Sequence, residues 1–322
     1  MKKKYISAGV LSLVFSVSLH SQGKPNVIFI AMDDENDWIG PFGGNPQVLT
    51  PNLDRFCNDR AMIFTNAHCT GSVSCPSRSS LLSGFRPERS GCYNNDQNML
   101  KSELIQQYAT MPEFFSKNGY ITISSGKIFH KHQIPGGQDQ GQWAFDIWEQ
   151  EKGNMNPRRD KLTSRTEGLL DGVKLADQRY TGYVGTDFAW GPTISPKEET
   201  KDYLTAQWFS KQLQSDFDKP FFMAVGIAKP HLPWYVPQEF FDMYNPDSIK
   251  IPDYRLDDLD DILTPSGEKK FSATEDFLWV CRMRDYSRVR LELIWPPPLM
   301  LITVSGLFLT LLETVNIRIT QL

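Results

Sequence analysis

Two continuous apolar runs of strand length, 26–32 and 221–227, stand out from the otherwise mixed chain, and 120–124 reads as a third strand. The two runs lack the alternation of apolar and polar residues that a half-exposed strand shows. Unbroken apolar strands are typical of parallel sheets that helices cover on both faces. The pattern therefore predicts an α/β fold, a doubly wound, mostly parallel sheet in which these three segments are buried strands.

Helix signals lie between these segments. Thr50 and Pro51 form a cap followed by a proline at the first helical position, so a helix is expected to begin there. A second helix is expected near 110–118, where the following glycine stops it. A capping box at 195–198 predicts a further helix that runs to about Ser215. Helices that alternate with strands are what a doubly wound sheet requires.

Residues that can carry chemistry follow each predicted strand. The pair Asp33 and Asp34 ends the first strand, 127–130 (Lys-Ile-Phe-His) follows the second, and 229–231 (Lys-Pro-His) follows the third. Because the carboxyl ends of parallel strands meet at one edge of a sheet, we expect these segments to converge. Two adjacent carboxylates are hard oxygen ligands suited to calcium or magnesium. Taken alone, such a pair is more often a turn or helix cap, and a lone lysine or histidine in a loop is more often simply solvated.

The stretch Ser74–Gly84 reads as a turn that runs into a short helix. Pro76 fits the first helical position, and Gly84 sits where the helix stops. A side chain just before such a helix points into an anion site, because unpaired N–H groups and the positive end of the helix dipole lie there. Arg78 adds a guanidinium that can clamp a tetrahedral oxyanion. On these residues alone, an ordinary polar turn and helix is the alternative.

The spacing Ser-x-Pro-Ser-Arg-x-x-Leu-x-Ser-Gly in this stretch resembles the signature of the type I sulfatases, members of the alkaline-phosphatase superfamily. In that family the first residue of the signature, cysteine or serine, is oxidised to formylglycine. That residue stands two places before the proline, which here is Ser74, so Cys75 occupies the variable position. The chain therefore resembles the serine-type signature, and the resemblance implies a formylglycine derived from Ser74.

Two further segments resemble one branch of that family, the iduronate-2-sulfatase-like branch. The segment 126–130 (Gly-Lys-Ile-Phe-His) is similar to a stretch in which that branch places a lysine and a histidine against the sulfate ester. The segment 228–231 (Ala-Lys-Pro-His) is similar to one that carries another sulfate-contacting histidine. The implied site comprises catalytic Ser74, Arg78, Lys127, His130 and His231, substrate-binding Lys229, and the metal ligands Asp33, Asp34 and Ser74.

The resemblance implies a sulfuric ester hydrolase that removes sulfate from sulfated sugars or polysaccharides. In the family's mechanism an oxygen of the hydrated formylglycine attacks sulfur, while the Asp33–Asp34 pair holds one calcium ion against it. Arg78 and Lys127 would stabilise the developing oxyanions. His231, with Lys127, would assist the leaving alcohol, and His130 would orient the hydrated group and take its proton.

The partners implied are a sulfated carbohydrate substrate and a maturase that generates formylglycine. Two alternatives stay open. One is a phosphatase or phosphodiesterase of the same superfold that uses unmodified Ser74 as a direct nucleophile, although the Pro-Ser-Arg context argues against it. The other is a catalytically dead exported protein that at most binds glycans.

Composition and the start of the chain bear on location and partners. The net charge of −4 and the pI near 5.8 give no sign of nucleic-acid binding. Residues 1–22 read as a secretory signal, with three lysines before an apolar run that is short for a membrane span. They predict an exported protein, periplasmic or secreted, with no membrane association. The cysteines number five, so at least one lacks an intrachain partner, and their spacing does not indicate zinc.

The character of the chain changes near residue 290. Residues 23–289 are predicted to be a sulfatase N-terminal domain, but the family's second metal pair, Asp followed by His or Asn and then Gly, has no counterpart here. In the tail 290–322, the apolar stretch 294–312 contains three consecutive prolines, which suit a membrane span poorly. Codons compatible with this tail, read one nucleotide upstream, allow sequence that resembles what precedes that metal pair. This favours a shifted reading frame over a membrane anchor, and we expect the 322-residue chain to lack sulfatase activity.

Overall fold

The computed structural model describes residues 23–130, 144–149, 169–170, 173–174, 190–193, 196–231, 234–244, 257 and 259–269. The expected signal 1–22 and the tail 290–322 lie outside the described residues. Both stay predictions, as does the division of the chain into a domain and a tail. In the part of the chain that is described, no helix has the length and apolar character needed to cross a membrane.

A parallel sheet lies at the centre of the fold. The strands are β1 (Val27–Met32), β2 (Ile121–Gly126), β3 (Ile147–Glu149), β4 (Leu169–Leu170), β5 (Val173–Lys174), β6 (Trp190–Thr193), β7 (Phe221–Ile227) and β8 (Trp234–Pro237). Four of them form the central sheet in the order β1-β7-β2-β3, and every pairing in it is parallel. The strands predicted at 26–32, 120–124 and 221–227 are therefore confirmed as members of one parallel sheet. The second extends two residues further than its pattern predicted. The prediction that all three are buried was wrong for β1, which ends the strand order of the described sheet and is only partly buried, with Ile30 38% exposed.

Strand β7 shows why its sequence is apolar throughout. All seven of its residues are buried. Met223 and Val225 pack into one hydrophobic cluster, and Phe222 and Ala224 pack into a second one. Because successive side chains of a strand point to opposite faces, these two clusters lie on the two faces of the sheet. Burial on both faces removes the polar alternation that a half-exposed strand would keep.

Helices cover both faces of the sheet. They are α1 (Pro51–Arg60), α2 (Ser74–Ser83), α3 (Pro87–Ser90), α4 (Glu103–Gln106), α5 (Met111–Lys117), α6 (Lys201–Leu213) and α7 (Gln238–Phe241), with 3-10 turns at Gly40–Phe42, Met99–Lys101 and Lys197–Glu199. Phe56 of α1 and Phe209 of α6 pack into the first cluster. Leu82 of α2 and Phe115 of α5 pack into the second. The predicted α/β architecture is thereby confirmed.

Two helices begin away from their predicted positions. Helix α2 begins at Ser74, so Pro76 is its third residue and not its first, and its N-cap residue Val73 has no capping side chain. Helix α6 begins after Thr200, whose hydroxyl accepts a hydrogen bond from the amide of the third helical residue. The residues predicted as its capping box, 195–198, precede that start and lead only into a 3-10 turn. Thr200 satisfies a helical amide directly, which places the start of the helix there.

Two glycines let β2 and β7 approach closely at the carboxyl edge of the sheet. Gly126 has φ +79, and a Cβ at this residue would lie 1.9 Å from the carbonyl oxygen of Gly226. A Cβ at Gly226 would lie 2.2 Å from the carbonyl carbon of Lys127. The close approach allows Lys127 N to donate to Gly226 O at 3.1 Å. The backbone that carries Lys127 is thereby fixed to the end of β7.

Replacing Gly126 with alanine should lower the free energy of unfolding more than replacing Gly91. Both glycines have positive φ, +79 and +75, so each alanine introduces backbone strain of about 1–2 kcal/mol. Nothing lies within 4 Å of a Cβ at Gly91, whereas a Cβ at Gly126 overlaps Gly226 O. Urea-induced unfolding of Gly126→Ala and Gly91→Ala measures the difference. Equal losses would show that the two strands can separate here without further cost.

Candidate active site

The carboxyl ends of β1, β2 and β7 bring together the residues that the sequence singled out. Asp33 follows β1, and its N–H donates to the last carbonyl of β7 at 3.1 Å. The Asp33 carboxylate contacts Arg78 of α2 and Lys127 after β2. After β7, Nε2 of His231 lies 3.8 Å from Oδ2 of Asp34. Four separate segments of the chain therefore meet at one edge of the sheet.

Asp33 is a buried and ionised carboxylate. Its Oδ1 accepts a hydrogen bond from Arg78 Nη2 at 2.7 Å, and its Oδ2 accepts one from Lys127 Nζ. Burial by itself raises the pKa of Asp33, but the charges and hydrogen bonds of Arg78 and Lys127 outweigh burial and hold that pKa below its ordinary value. Each carboxylate oxygen has a second lone pair, so Asp33 retains acceptor capacity for a further ligand.

Arg78 holds the turn after β2 against the end of β1. Its Nη1 donates to Lys127 O at 2.6 Å and to Ile128 O at 2.9 Å, while its Nη2 donates to Asp33. The planar fork of a guanidinium suits this simultaneous grip on two carbonyls and a carboxylate. Arg78 is buried, so its first effect is to position Lys127. Its expected contact with an oxyanion stays a prediction.

Ser74 is the first residue of α2, and it contacts His130. The distance between Ser74 Oγ and His130 Nδ1 is 3.2 Å. The hydroxyl lies at the N-terminal end of α2, where the positive end of the helix dipole favours negative charge. A hydroxyl within reach of an imidazole is the arrangement that proton transfer to a general base requires. The position that the sequence selected as nucleophile is thus beside a base.

Cys75 is poorly suited to the same role. Its side chain is 1% exposed, and its thiol donates to Gln97 O at 3.0 Å. Burial raises the pKa of the Cys75 thiol above its ordinary value. The thiolate is the reactive form of cysteine, so a buried thiol with a raised pKa is a weak nucleophile. This geometry favours Ser74 over its neighbour.

Asp33, Asp34 and His231 form a cluster whose donors suit a divalent cation. One candidate ligand atom from each residue lies within 4.8 Å of the others. Asp34 has a left-handed backbone conformation, φ 59, which is uncommon outside glycine and costs aspartate least after asparagine. Strained backbone of this kind concentrates at functional positions. The sequence predicted the two aspartates as ligands and His231 as a catalytic residue, and the three side chains lie close together at this edge of the sheet.

Lys229, which the sequence predicted to bind substrate, lies beneath the turn that carries His231. It is 5% exposed, and its Nζ donates to His231 O at 3.2 Å. Burial lowers the pKa of Lys229 to about 8, against the opposing effect of the Asp202 carboxylate. The ammonium group stabilises the turn to which Lys229 itself belongs. A contact between Lys229 and substrate stays a prediction, which this burial disfavours.

Asp202 is a residue of this region that the sequence did not reveal. It lies in the first turn of α6, and its two carboxylate oxygens accept from the amides of Ala228 and Lys229 at 2.8 and 3.0 Å. The side chain is buried, and desolvation raises its pKa although the two amides oppose that rise. In sequence it looks like an ordinary acidic residue near a helix start. Only the fold brings it under the turn that follows β7.

The chain is similar to known sulfatases over most of its length. The sulfatase family model matches residues 25–259. A sulfatase from Formosa agariphila is 35% identical over 250 residues, which are 76% of this chain and 46% of that protein. Iduronate 2-sulfatase from Homo sapiens is 30% identical over 234 residues, which are 72% of this chain and 40% of that protein. The chain therefore spans less than half the length of either relative.

A solved structure shares the fold. Phosphonate monoester hydrolase SpPMH from Silicibacter pomeroyi superposes with a TM-score of 0.58 and 16% identity, covering 91% of this chain and 59% of that chain. At this level of identity the likeness concerns the fold alone. It supports the α/β arrangement of sheet and helices described above.

Replacing Asp202 with alanine should destabilise the protein by about 2–6 kcal/mol, because each of two buried amides loses its acceptor at a cost of about 1–3 kcal/mol. Asp202→Asn keeps one acceptor and should lose less. Asp216→Ala removes an exposed aspartate beyond the end of α6 and should change stability by less than about 0.5 kcal/mol. Urea-induced unfolding measures all three. A loss in Asp202→Ala as small as that in Asp216→Ala would mean that water replaces the carboxylate.

Proposed function

This chain belongs to the sulfatase family, the type I sulfatases of the alkaline-phosphatase superfamily, and from that premise we propose that it hydrolyses sulfuric esters of sugars. The observation that carries the proposal is the 3.2 Å contact between Ser74 Oγ and His130 Nδ1, at the sheet edge where Arg78 and Lys127 lie. Similarity to iduronate 2-sulfatase supports a sugar as the carrier of the ester.

The distribution of charge around Ser74 suits an anionic ester. Lys127 is the more accessible of the two cations bound to Asp33, with 19% of its side chain exposed against 9% for Arg78. Lys127 is therefore the cation that contacts the sulfate oxygens directly. Arg78 acts indirectly: it holds Lys127 in position through the shared Asp33 carboxylate and through the carbonyls of the turn that carries Lys127. Both offset the negative charge that grows on those oxygens during transfer.

The donors at the end of β1 fit one hard divalent cation, which we take to be calcium. Asp33, Asp34 and the side-chain oxygen of residue 74 would hold it, and each Asp33 oxygen keeps a lone pair for this purpose. When bound, the ion supplies positive charge that lowers the pKa of the attacking oxygen and offsets charge on the ester. Oxygen donors favour calcium or magnesium over softer metals.

The remaining steps belong to side chains of the chain itself. The nucleophile is a hydroxyl oxygen at position 74, on the hydrate that formylglycine forms with water once a maturase has oxidised Ser74. His130, in contact with that oxygen, orients it and accepts its proton. His231, which follows the neighbouring strand β7 at the same edge of the sheet, delivers a proton to the departing sugar oxygen, with Lys127 stabilising the charge there. The sulfur–oxygen bond to the sugar breaks as the bond from residue 74 forms. His130 then takes the proton of the second hydroxyl of the hydrate, so that sulfate leaves and the aldehyde is regenerated.

A phosphatase or phosphodiesterase that uses unmodified Ser74 is the second candidate. The same Ser74–His130 contact favours it, since a serine hydroxyl beside an imidazole is a nucleophile–base pair without any modification. Parallel assays with aryl sulfate and aryl phosphate esters, combined with the mass of the peptide that contains residue 74, separate the two chemistries. A glycan-binding protein without catalysis would retain the sugar and hydrolyse neither ester.

We also propose that the protein is exported. The secretory pattern of residues 1–22 would carry the protein to the periplasm or the medium, where polysaccharides are available as substrates. The partners are then the sulfated carbohydrate and, during synthesis, the maturase.

Coexpression with a serine-type maturase should leave the peptide containing Ser74 lighter by the mass of two hydrogens, because oxidation converts the alcohol to an aldehyde. Ser74→Ala should abolish the mass change. Cys75→Ala should retain it, since Cys75 occupies the variable position of the signature. Mass spectrometry of the digested protein measures the change. A mass change at Cys75 with unmodified Ser74 would contradict the choice of residue.

Calcium binding by Asp33, Asp34 and Ser74 alone should be weak, because these three residues provide fewer than the roughly six to eight oxygens that calcium prefers. Asp34→Asn should weaken the binding by roughly tenfold. Asp37→Asn, which changes a nearby exposed aspartate, should leave it unaltered. Isothermal titration with calcium chloride tests both, and equal affinities in the two variants would place the ion elsewhere.

A further inference from the structure

The turn Tyr93–Gln97 docks on the residue that follows Ser74. The N-cap residue of α2 offers no capping side chain, and Asn95 provides the cap from outside the helix. Asn95 Oδ1 accepts from the amide of Cys75 at 2.9 Å, and Gln97 O accepts from the thiol of Cys75 at 3.0 Å. Two hydrogen bonds to the immediate neighbour of Ser74 place this turn at the rim of the candidate active site.

The turn is braced by its own side chains. Gln97 Oε1 accepts from the amides of Tyr93 and Asn94, and Asn94 Oδ1 accepts from the amide of Asp96 at 3.0 Å. Because these bonds already order the backbone, a ligand that binds here orders little more of it, which favours affinity. The side chains of the turn are therefore held at a fixed position relative to Ser74.

The turn presents an aromatic ring and an amide to solvent. Tyr93 is 58% exposed, and within the described residues its ring stacks on no other ring and its hydroxyl has no hydrogen-bond partner. Asn95 is also exposed. Its Oδ1 faces the amide of Cys75, so the planar geometry of the side chain directs Nδ2 away from the helix as a donor. A flat apolar face beside a polar donor suits a pyranose ring, which has a C–H face and hydroxyl oxygens.

We propose that Tyr93 and Asn95 form the subsite for the sugar that carries the sulfate ester. Tyr93 stacks on the pyranose ring, and Asn95 Nδ2 donates to one of its oxygens. The assignment rests on the proposed function, because the ester held at Ser74 is what brings the sugar to this turn. It makes the residue that caps the nucleophile helix a determinant of substrate choice as well.

Binding to the 322-residue chain tests the subsite without requiring turnover. The probes are a monosulfated pyranose disaccharide and inorganic sulfate, followed by titration calorimetry or saturation-transfer NMR. Tyr93→Ala should weaken the disaccharide by about three- to tenfold and leave inorganic sulfate unchanged. Tyr108→Ala is the matched control, because Tyr108 is also 58% exposed but lies beyond α4 against Phe85. It should change neither affinity.

Asn95→Asp separates sugar contact from helix capping. Aspartate keeps the acceptor for Cys75 N but lacks the donor. The free energy of unfolding should therefore stay unchanged, while the affinity for the disaccharide falls. Inorganic sulfate measures how much of that weakening comes from the added charge, and the excess seen with the disaccharide reports the lost donor. The subsite alone would be overturned if Tyr93→Ala and Asn95→Asp lost no more affinity for the disaccharide than for inorganic sulfate. An unaltered chain that binds neither probe would overturn the proposed function, and the subsite with it.

Discussion

The burial of the Asp33 carboxylate is the constraint on which the arrangement of the site depends. An isolated carboxylate would not remain charged in such a place, so its two oxygens require cations. Arg78 and Lys127 meet that requirement from different elements, and so draw α2 and the turn after β2 to the end of β1. Ser74 lies one helical turn before Arg78 and therefore on the same face of α2. The ion network thus also fixes the distance between Ser74 and His130.

Two buried charged side chains hold the turns that carry the candidate catalytic residues, and they do so in complementary ways. Arg78, a pure donor, grips the carbonyls of the turn after β2. Asp202, a pure acceptor when ionised, grips the amides of the turn after β7. Backbone groups at the ends of strands have lost their ladder partners and would otherwise remain unsatisfied. Satisfying them with charge-bearing side chains gives stronger hydrogen bonds and a stiffer turn than neutral partners would.

The sequence predicted the features that are local and missed those that depend on distant partners. The buried strands follow from unbroken apolar runs, and the meeting of Asp33, Lys127 and His231 follows from the parallel order of their strands. The predicted start of α6 was wrong, because Thr200 caps the helix more directly than the residues at 195–198 do. The sequence around Asp202 does not indicate that its carboxylate accepts hydrogen bonds from the turn after β7. For the same reason the sequence did not reveal that Lys229 is buried, and its contact with substrate stays a prediction.

The start of α2 illustrates how one bond can serve structure and recognition together. A helix whose N-cap residue is valine leaves its first amides without an acceptor, and Asn95 supplies one for Cys75 from a segment twenty residues away. An intrinsic cap such as serine at position 73 would free that segment from the helix. Because the cap comes instead from the rim, the position of the rim and the position of the nucleophile cannot vary independently. If a sugar stacks on Tyr93, it contacts the same turn that holds the start of α2 through two hydrogen bonds to Cys75, the neighbour of Ser74.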